Sequence, residues 1–475
     1  MNDWIAMHYL SAQELANKMA QQELSSVEIT RHFLNRIAEY NGKYCIYTSV
    51  FEEQALALAE NADRLRKAGI ILSPFHGVPV SIKEHFDYKG SVAHYGSNAR
   101  LNCVSEKNSA VVDKLIALGM VILGKTSMTE FAFGLAGQNP TVGTAHNPWD
   151  LKTLRSPGGS SAGAGAALAL GLCPISLGGD TGGSVRAPAA HTYTIGFKPS
   201  SGMISRADAM PLSPTLDVVG IVSRTVEDSE IMTRLLSGPD LNDDATLSTF
   251  GLEAQRNFMA DSNDESTASK KLYCLNEAAW PYSVNADYSV YWHETIGGLK
   301  EQGYEIIDWQ PSDLGFFKQI GDDNSVVLAY EAYQHYGDLV EDPTADVWLT
   351  VRNRILNGKN ISIADYEKTL EDRKAYQEAF RKELPENAVL LLPAMDQAAQ
   401  TLDFEDVKHT GLGAFLRPAN FIDAPAITLP SGFDSEHMPL SIQLIAHTAN
   451  DHVLLSVAKE VETALGNTRQ VPNLN

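Results

Sequence analysis

The first ~70 residues carry hydrophobic and polar positions at the spacing of α-helices. Two Ser-x-x-Glu patterns, at Ser11–Glu14 and Ser25–Glu28, fit capping boxes, in which each serine and glutamate satisfy free backbone donors at a helix start. The apolar face of the second helix then consists of Val27, Ile29, Phe33, Leu34 and Ile37. A third helix is expected from about Glu52 to Lys67. The pattern predicts a helical N-terminal layer over about residues 8–70.

From residue 76 the pattern changes to short β-rich runs that alternate with amphipathic helices. GVPVSIK (77–83) reads as a strand, NSAVVDKLIALG (108–119) as a helix and MVILGKT (120–126) as the strand after it. The same texture predicts a helix from about 161 to 171 followed by a strand from about 173 to 178. Further strands are expected at 271–276, 304–309, 388–393 and 425–432, and further helices at about 364–382 and 452–465. The chain is therefore expected to be an α/β protein with one large sheet.

The stretch from about 238 to 271 is polar and acidic, and we interpret it as a mobile surface excursion. It is the one plausible internal boundary. Because predicted strands lie on both sides of it, the sequence favours a single domain over residues 1–475.

Composition and charge narrow the class of protein. The chain of 475 residues is 44% hydrophobic and 20% charged, which is ordinary for a globular protein with a large core. Its 37 Lys and Arg against 59 Asp and Glu give a net charge of -22. That charge argues against nucleic acid or an anionic membrane as a partner bound by this chain alone, because both require positive charge.

The cysteines and the N-terminus suggest a reducing compartment. The four cysteines are far apart, with neither a CxxC pair nor a metal-ligand spacing, and the first residues lack the pattern of a signal peptide. A cytoplasmic protein is expected. The uncharged stretch 161–179 is too rich in Gly and Ala for a membrane span, so a buried helix and strand are predicted there.

Candidate chemistry concentrates in residues 158–202, which hold 11 of the 35 glycines. Two motifs stand there, GGSSAG (158–163) and GGDTGGSVRAPA (178–189). A helix after Ser160 would advance ~16 Å, and the following strand would return ~20 Å. The two lengths nearly cancel, so Ser160 and Ser184 are expected to meet at one edge of the sheet, where sites form in open α/β folds.

Ser184 follows a glycine pair and is the candidate nucleophile. The backbone N–H groups of Thr181, Gly182 and Gly183 could stabilise an oxyanion beside it. Asp180 and Arg186 flank this loop and are interpreted as braces rather than as chemical actors. A helix N-cap is the structural alternative for Ser184.

A nucleophilic serine needs a base, and no histidine is obviously placed for that role. Lys83 ends the apolar strand 77–83, where burial would lower its pKa and leave it able to accept a proton. We therefore predict a relay in which Ser184 passes its proton to Ser160 and Ser160 passes its own to Lys83. A lysine that extends to the surface is the alternative.

At these residues the sequence resembles the amidase signature family of serine hydrolases. The resemblance extends from about residue 10 to about 465. It rests on GVPVSIKEHFD (77–87), GKTSMTEFAFG (124–134), SPGGSSAG (156–163), GGDTGGSVRAPA (178–189), GFKPSSG (196–202) and SPTLDVVGIVSRTVED (213–228).

The family implies a Ser–cis-Ser–Lys triad, here Ser184, Ser160 after a cis peptide from Gly159, and Lys83. It also implies oxyanion donors at the backbone of Thr181, Gly182, Gly183 and Ser184, and a substrate-binding segment at Ala132, Phe133 and Gly134. Ser161 is then expected to support the site through a hydrogen bond, with a helix cap as the alternative. The implied fold is a large mixed β-sheet sandwiched between layers of helices.

Two departures from the family pattern lie near the predicted site. The acidic residue after the lysine is Glu84 where the family usually has Asp, and Ala162 replaces a usual glycine. Neither removes a member of the triad, so they bear on the shape of the pocket.

The leading hypothesis at this point is a free-standing amidohydrolase that cleaves the C–N bond of a small-molecule amide through a serine acyl-enzyme. It needs no metal and no organic cofactor, and a homodimer is the working assumption for its assembly. Arg352, Arg354 and Arg417 are candidate counter-ions for an anionic substrate.

Two alternatives remain open. One is the glutaminase (A-type) subunit of a tRNA-dependent amidotransferase, in which ammonia from glutamine passes to a partner chain. Against it, the acidic residue that such subunits carry before the PAN segment aligns here with Gly413. The other is a non-catalytic scaffold.

Overall fold

The structure is a computed structural model that describes residues 6–260, 270–313, 315–402, 411–466 and 470–474. Within these ranges eleven strands form one sheet in the order β1-β3-β2-β4-β6-β5-β10-β11-β9-β7-β8. The strands are β1 Tyr47–Val50, β2 Pro79–Lys83, β3 Val121–Thr126, β4 Ile175–Asp180, β5 Ile195–Lys198, β6 Val218–Ser223, β7 Lys271–Leu275, β8 Glu305–Trp309, β9 Leu390–Pro393, β10 Ala426–Phe433 and β11 Pro439–Ile445.

Fifteen α-helices surround the sheet within the same ranges. They are α1 Ala12–Ala20, α2 Ser26–Tyr44, α3 Glu52–Lys67, α4 Ala110–Ala117, α5 Ala162–Ala169, α6 Arg186–Thr192, α7 Val226–Leu236, α8 Asp244–Leu247, α9 Thr249–Ala260, α10 Ala286–Glu301, α11 Phe316–Glu341, α12 Leu349–Asn357, α13 Ile363–Glu383, α14 Arg417–Phe421 and α15 Asp451–Leu465.

The sheet is mixed, as the family resemblance implied. Strand β2 pairs in parallel with β3 and β4 on either side, and β7 pairs in parallel with β8 and β9. The centre is antiparallel, from β4 through β6, β5, β10 and β11 to β9. The α/β fold class is thereby confirmed.

The helical N-terminal part forms around the two expected capping boxes, which are both present at α1 and α2. The third helix has the predicted bounds, Glu52–Lys67. One short strand, β1, lies between α2 and α3 and pairs with β3, which the helical pattern did not indicate.

The uncharged stretch forms the predicted buried helix and strand. Every residue of α5 is buried. Its glycines allow this close packing, since a Cβ on Gly163 would lie 2.5 Å from the backbone oxygen of Ile46. The helix can therefore lie directly behind the strands that carry the site.

The polar excursion predicted at 238–271 lies partly outside the described residues, which omit 261–269. Its described part contains α8 and α9, and Ala254 and Phe258 of α9 belong to the core. No helix in the described ranges is long and apolar enough to cross a membrane.

Candidate active site

Lys83 is the last residue of β2, between β3 and β4, and it is 1% exposed. Its Nζ donates to Ser160 Oγ at 2.7 Å and to the Gly179 backbone oxygen at 3.4 Å. Burial lowers the pKa of Lys83 to about 7, although the carboxylates of Asp217 and Asp180 oppose the shift. Near neutral pH the amine is therefore available to accept a proton.

Ser160 lies in the turn before α5, and the peptide bond between Gly159 and Ser160 is cis. Its hydroxyl meets Lys83, while its carbonyl accepts from the Thr129 amide at 3.0 Å. The neighbouring Ser161 amide donates to the Ser184 carbonyl at 3.1 Å, so the two serine motifs lie side by side. This is the juxtaposition that the helix and strand lengths predicted.

Ser184 is 3% exposed and lines a cavity of about 140 Å³. Its hydroxyl makes no hydrogen bond to another described residue. The structure therefore brings Lys83 and Ser160 into direct contact, and it places Ser184 next to them through the backbone. The transfer from Ser184 to Ser160 remains a proposal about the reacting state.

The loop after β4 positions the candidate oxyanion donors. Gly183 has φ +115, which side chains rarely tolerate, and a Cβ there would lie 2.6 Å from Leu416 Cβ. Its amide donates to Asp180 Oδ1 at 2.9 Å, so that donor is already used. The amides of Thr181, Gly182 and Ser184 are left as the candidates.

Asp180 and Arg186 form a fully buried ion pair across this loop, with 2.9 Å between Asp180 Oδ1 and Arg186 Nη2. Burial alone would raise the pKa of Asp180, but the Arg186 charge and hydrogen bonds hold it well below its usual range. Arg186 also donates to the Leu416 carbonyl, to Gln443 Oε1 and to Asn420 Oδ1. These contacts tie the loop to α14 and β11.

Ala132, Phe133 and Gly134 line the same cavity as Ser184. The backbone there is bent, with φ 48 at Phe131 and φ 57 at Ala132, both in the left-handed region. The segment assigned to substrate by resemblance therefore faces the candidate nucleophile.

Two of the three candidate arginines line the cavity that contains Ser184, and the third does not. Arg352 donates to the backbone carbonyls of Val340, Asp342 and Ala345 and does not line the cavity. Arg354 and Arg417 both line it. Arg354 also donates to the Phe133 carbonyl at 2.7 Å.

Asp217 is a site residue to which the sequence reasoning assigned no role. It lines a second cavity of about 250 Å³, which also contains Lys83, and burial raises its pKa. It accepts from Thr181 Oγ1 at 2.6 Å and from the Leu212 and Ser213 amides. Its place in the quoted motif SPTLDVVG, directly before β6, was the available signal.

Glu84, the departure next to Lys83, is fully buried against Lys125 at 3.2 Å. It also accepts from Thr48 Oγ1 at 2.6 Å. The side chain therefore points into an ion pair with β3. Among the described residues, no group of three or more His, Cys, Asp or Glu could hold a metal ion.

Comparison with known proteins places the chain in a family. Residues 28–455 match the Amidase family, so the chain belongs to it and is an amidase-family enzyme that acts on carbon–nitrogen bonds. It is 30% identical to the A-type subunit of the Glutamyl-tRNA(Gln) amidotransferase of Protochlamydia amoebophila, over 98% of this chain and 99% of that protein. Seven further relatives, at 30 or 31% identity, carry the same name.

Solved structures agree on the fold. The structure described as "Crystal structure of amidase" matches with a TM-score of 0.84 at 24% identity, over 96% of this chain and 99% of that chain. The A-type subunit of the Glutamyl-tRNA(Gln) amidotransferase of Thermotoga maritima matches with a TM-score of 0.76 at 25% identity, over 97% and 95%.

These relatives correct two expectations. The preference for a free-standing amidohydrolase of a small-molecule amide is wrong, because near-full-length relatives are subunits of an amidotransferase, which was the alternative. A free-standing amidohydrolase and an amidotransferase subunit of this family would use the same catalytic residues, so the predicted triad could not distinguish these two functions.

The expectation of a small-molecule amide as partner, with no nucleic acid, is also wrong, because the relatives' name records a tRNA substrate and further subunits. The error has a physical cause. The net charge of one chain describes that chain and not an assembly in which another subunit can contact the nucleic acid.

Proposed function

We propose that this chain is the glutaminase (A-type) subunit of a tRNA-dependent amidotransferase. It releases ammonia from the side-chain amide of glutamine and delivers it to partner chains, which use it on an acyl-tRNA. The observation that carries the proposal is the match to A-type subunits over 98% of this chain together with a buried Lys83–Ser160 contact. A cytoplasmic location would suit such an assembly.

The geometry supports the following reaction. Ser184 Oγ attacks the amide carbonyl while its proton moves to Ser160, and the Ser160 proton moves to Lys83 Nζ. The tetrahedral oxyanion is stabilised by the amides of Thr181, Gly182 and Ser184. The C–N bond then breaks, and the relay returns a proton to the departing nitrogen, which leaves as ammonia.

The acyl-enzyme is cleared by the same groups. Water attacks the Ser184 ester, and its proton passes through the relay to Lys83 and back to Ser184 Oγ. The products are glutamate and a restored site. Each step uses Lys83 once as acceptor and once as donor, which a pKa near 7 allows.

The direct test measures ammonia release from L-glutamine by the purified chain and by the chain co-expressed with candidate partner subunits of its own genome. We expect activity that is lost in Ser184→Ala and partner chains that co-purify. Labelling of Ser184 by a fluorophosphonate probe identifies the nucleophile independently.

The matched control is Ser213→Ala, because Ser213 is a buried serine whose hydroxyl donates to Glu331 and not to Lys83 or Ser160. We expect this variant to keep fluorophosphonate labelling. A chain that releases no ammonia from glutamine, alone or with those subunits, would refute the proposal.

A further inference from the structure

Two guanidinium groups face the cavity that contains Ser184, and they come from separate elements. Arg354 lies on α12 and Arg417 is the first residue of α14. Arg354 covers the substrate segment, since a Cβ on Gly134 would lie 2.7 Å from its Nη1. Arg417 packs on the loop before the nucleophile, with its Cγ 3.3 Å from a Cβ built on Gly182.

Neither arginine has a carboxylate partner within ion-pair distance among the described residues. Burial lowers the pKa of both, and the Arg417 charge lowers that of Arg354 further. Asp322 is the acidic group that acts favourably on Arg417. Two half-buried cations that repel each other are costly unless an anion joins them.

A third polar group beside them is also unsatisfied. Asn324 on α11 is fully buried, and neither its Oδ1 nor its Nδ2 hydrogen-bonds to a described residue. Its Oδ1 lies 3.5 Å from a Cβ built on Gly182, on the same side as Arg417. Buried amides almost always have partners, so this one indicates a ligand or water beside Gly182, which itself lines the cavity.

Among the described residues that line the cavity containing Ser184, none is an Asp or Glu, so no carboxylate there could pair with an ammonium group of a substrate. Gly413, which aligns with the acidic residue that A-type subunits carry, has φ +87, and a Cβ there would lie 2.3 Å from Leu135 Cδ1 and 3.6 Å from Arg417 Nε. The position has no room for a carboxylate, and the neighbouring charge is positive.

We propose that Arg354 and Arg417 together bind the carboxylate of the amide donor, and that this carboxylate, rather than an ammonium group, selects the substrate. The inference rests on the proposed function and extends it, because it defines the class of donor. That class is the ω-amide of a short carboxylic acid, for which an α-amino group contributes no recognition.

The test compares three amides by kcat/KM: L-glutamine, glutaramate (glutamine without its amino group) and pentanamide (without amino group and carboxylate). We expect glutaramate to be hydrolysed at least as well as glutamine, and pentanamide at least 10-fold less well. Arg417→Gln and Arg354→Gln should each lower kcat/KM for glutaramate about 10- to 100-fold, as expected for a lost charged hydrogen bond.

Pentanamide distinguishes the loss of carboxylate binding from a general disruption of the active site. Because it has no carboxylate, its kcat/KM should change less than 3-fold in both variants. Arg352→Gln is the matched control on the same helix and should leave the preference among the three amides unchanged. The inference is overturned if glutaramate is hydrolysed 10-fold less well than glutamine. It is also overturned if either variant lowers kcat/KM for pentanamide by the same factor as kcat/KM for glutaramate.

A binding measurement separates this inference from the proposed function. Ser184→Ala is titrated calorimetrically with glutaramate, with and without Arg417→Gln. If the wild-type chain turns over no amide, alone or with its candidate partner subunits, the proposed function fails, whereas glutaramate binding that depends on Arg417 still supports the inference. Absence of binding in Ser184→Ala, alongside glutaminase activity in the wild type, refutes the inference alone.

Discussion

Lys83 can act as a base because the fold removes it from water. Desolvation disfavours the charged amine, and the nearby carboxylates of Asp217 and Asp180 compensate only in part. Its Nζ donates one hydrogen bond to Ser160 and one to a backbone carbonyl. A surface lysine, with a pKa of about 10.5, would be protonated at neutral pH and could not serve.

This pKa predicts the pH dependence of the amidase reaction. The neutral amine is the active form, so kcat/KM should rise about tenfold per pH unit below pH 7 and level off above it. Initial rates of ammonia release between pH 5 and about 9 measure the profile, within the range where the chain stays folded. Lys83→Ala should lose most of the activity along with this dependence.

Lys198 is the matched control for that profile. It is also fully buried, and burial lowers its pKa to about 8, yet its Nζ donates to the Pro199 carbonyl. Lys198→Met should keep the rising limb near pH 7. A limb that vanishes in Lys198→Met, or that persists in Lys83→Ala, would contradict the assignment of the base.

The two adjacent serines should differ sharply in effect. Ser160→Ala removes the hydroxyl that Lys83 contacts, so we expect kcat to fall about 10³-fold or more, as for members of a catalytic unit. Ser161 Oγ only donates to the Gly179 carbonyl at 3.3 Å, so Ser161→Ala should cost about tenfold. Single-turnover acylation rates measure both, and equal losses would argue against the relay.

At the scale of elements, the loop between β4 and α6 is held by a buried ion pair and by hydrogen bonds to its carboxylate. Asp180 accepts from the Gly183 and Val185 amides, and Arg186 extends to α14 and β11. Both partners are fully buried, so each depends on the other. The brace fixes where the oxyanion donors point.

Removing Arg186 should therefore destabilise the whole fold. Arg186→Leu leaves the Asp180 carboxylate buried without its partner, and we expect a loss of about 3–5 kcal/mol in the free energy of unfolding. Denaturant unfolding at pH 7 measures it. The loss should shrink at acidic pH, because Arg186 holds the pKa of Asp180 in the folded protein well below its ordinary value. The benefit of Arg186 therefore declines from about pH 4, where the unfolded chain takes up the proton, and is gone once the pH falls through the folded-state pKa.

The control for that variant is Lys368→Ala, which breaks an exposed i,i+4 pair with Asp372 on α13. A pair of this kind contributes about 0.3–0.5 kcal/mol. If Arg186→Leu costs no more than Lys368→Ala, the buried pair is not what holds the loop.

Elements with strong local patterns were predictable from sequence, and those that depend on distant partners were not. The capping boxes located α1 and α2, and β2 and β3 followed from apolar runs beside a helix. Strands β5, β6 and β11 were not predicted as strands. Each is a buried central strand, where pairing with neighbours, rather than period-2 alternation, decides the structure.

The same limit applies to the site. Residues 160 and 184 flank one helix–strand unit, so the lengths of that helix and strand were enough to predict that the two serines lie close together. Arg354 and Arg417 lie on helices far along the chain from Ser184, and only the tertiary structure shows that they enter its cavity while Arg352 does not. Sequence spacing carries no information about such contacts.

At the scale of the whole molecule, a single sheet connects both halves of the chain. Strand β4 from the first half and β11 from the second are linked through β6, β5 and β10, with no break in pairing. The cluster of buried residues that contains Phe33 also contains Leu391. A boundary between independent domains would have to cut this ladder and this core, so we retain the proposal of one domain.

That continuity makes a prediction about cooperativity. Phe33→Ala in α2 and Leu391→Ala in β9 remove fully buried side chains from opposite ends of the sequence, and each should cost about 2–5 kcal/mol. In one cooperative domain, both variants shift the same calorimetric transition, and its far-UV and tryptophan signals coincide. Two independent halves would instead show two transitions, with each variant moving only one of them, because a cavity opened in one core would leave the packing of the other core intact.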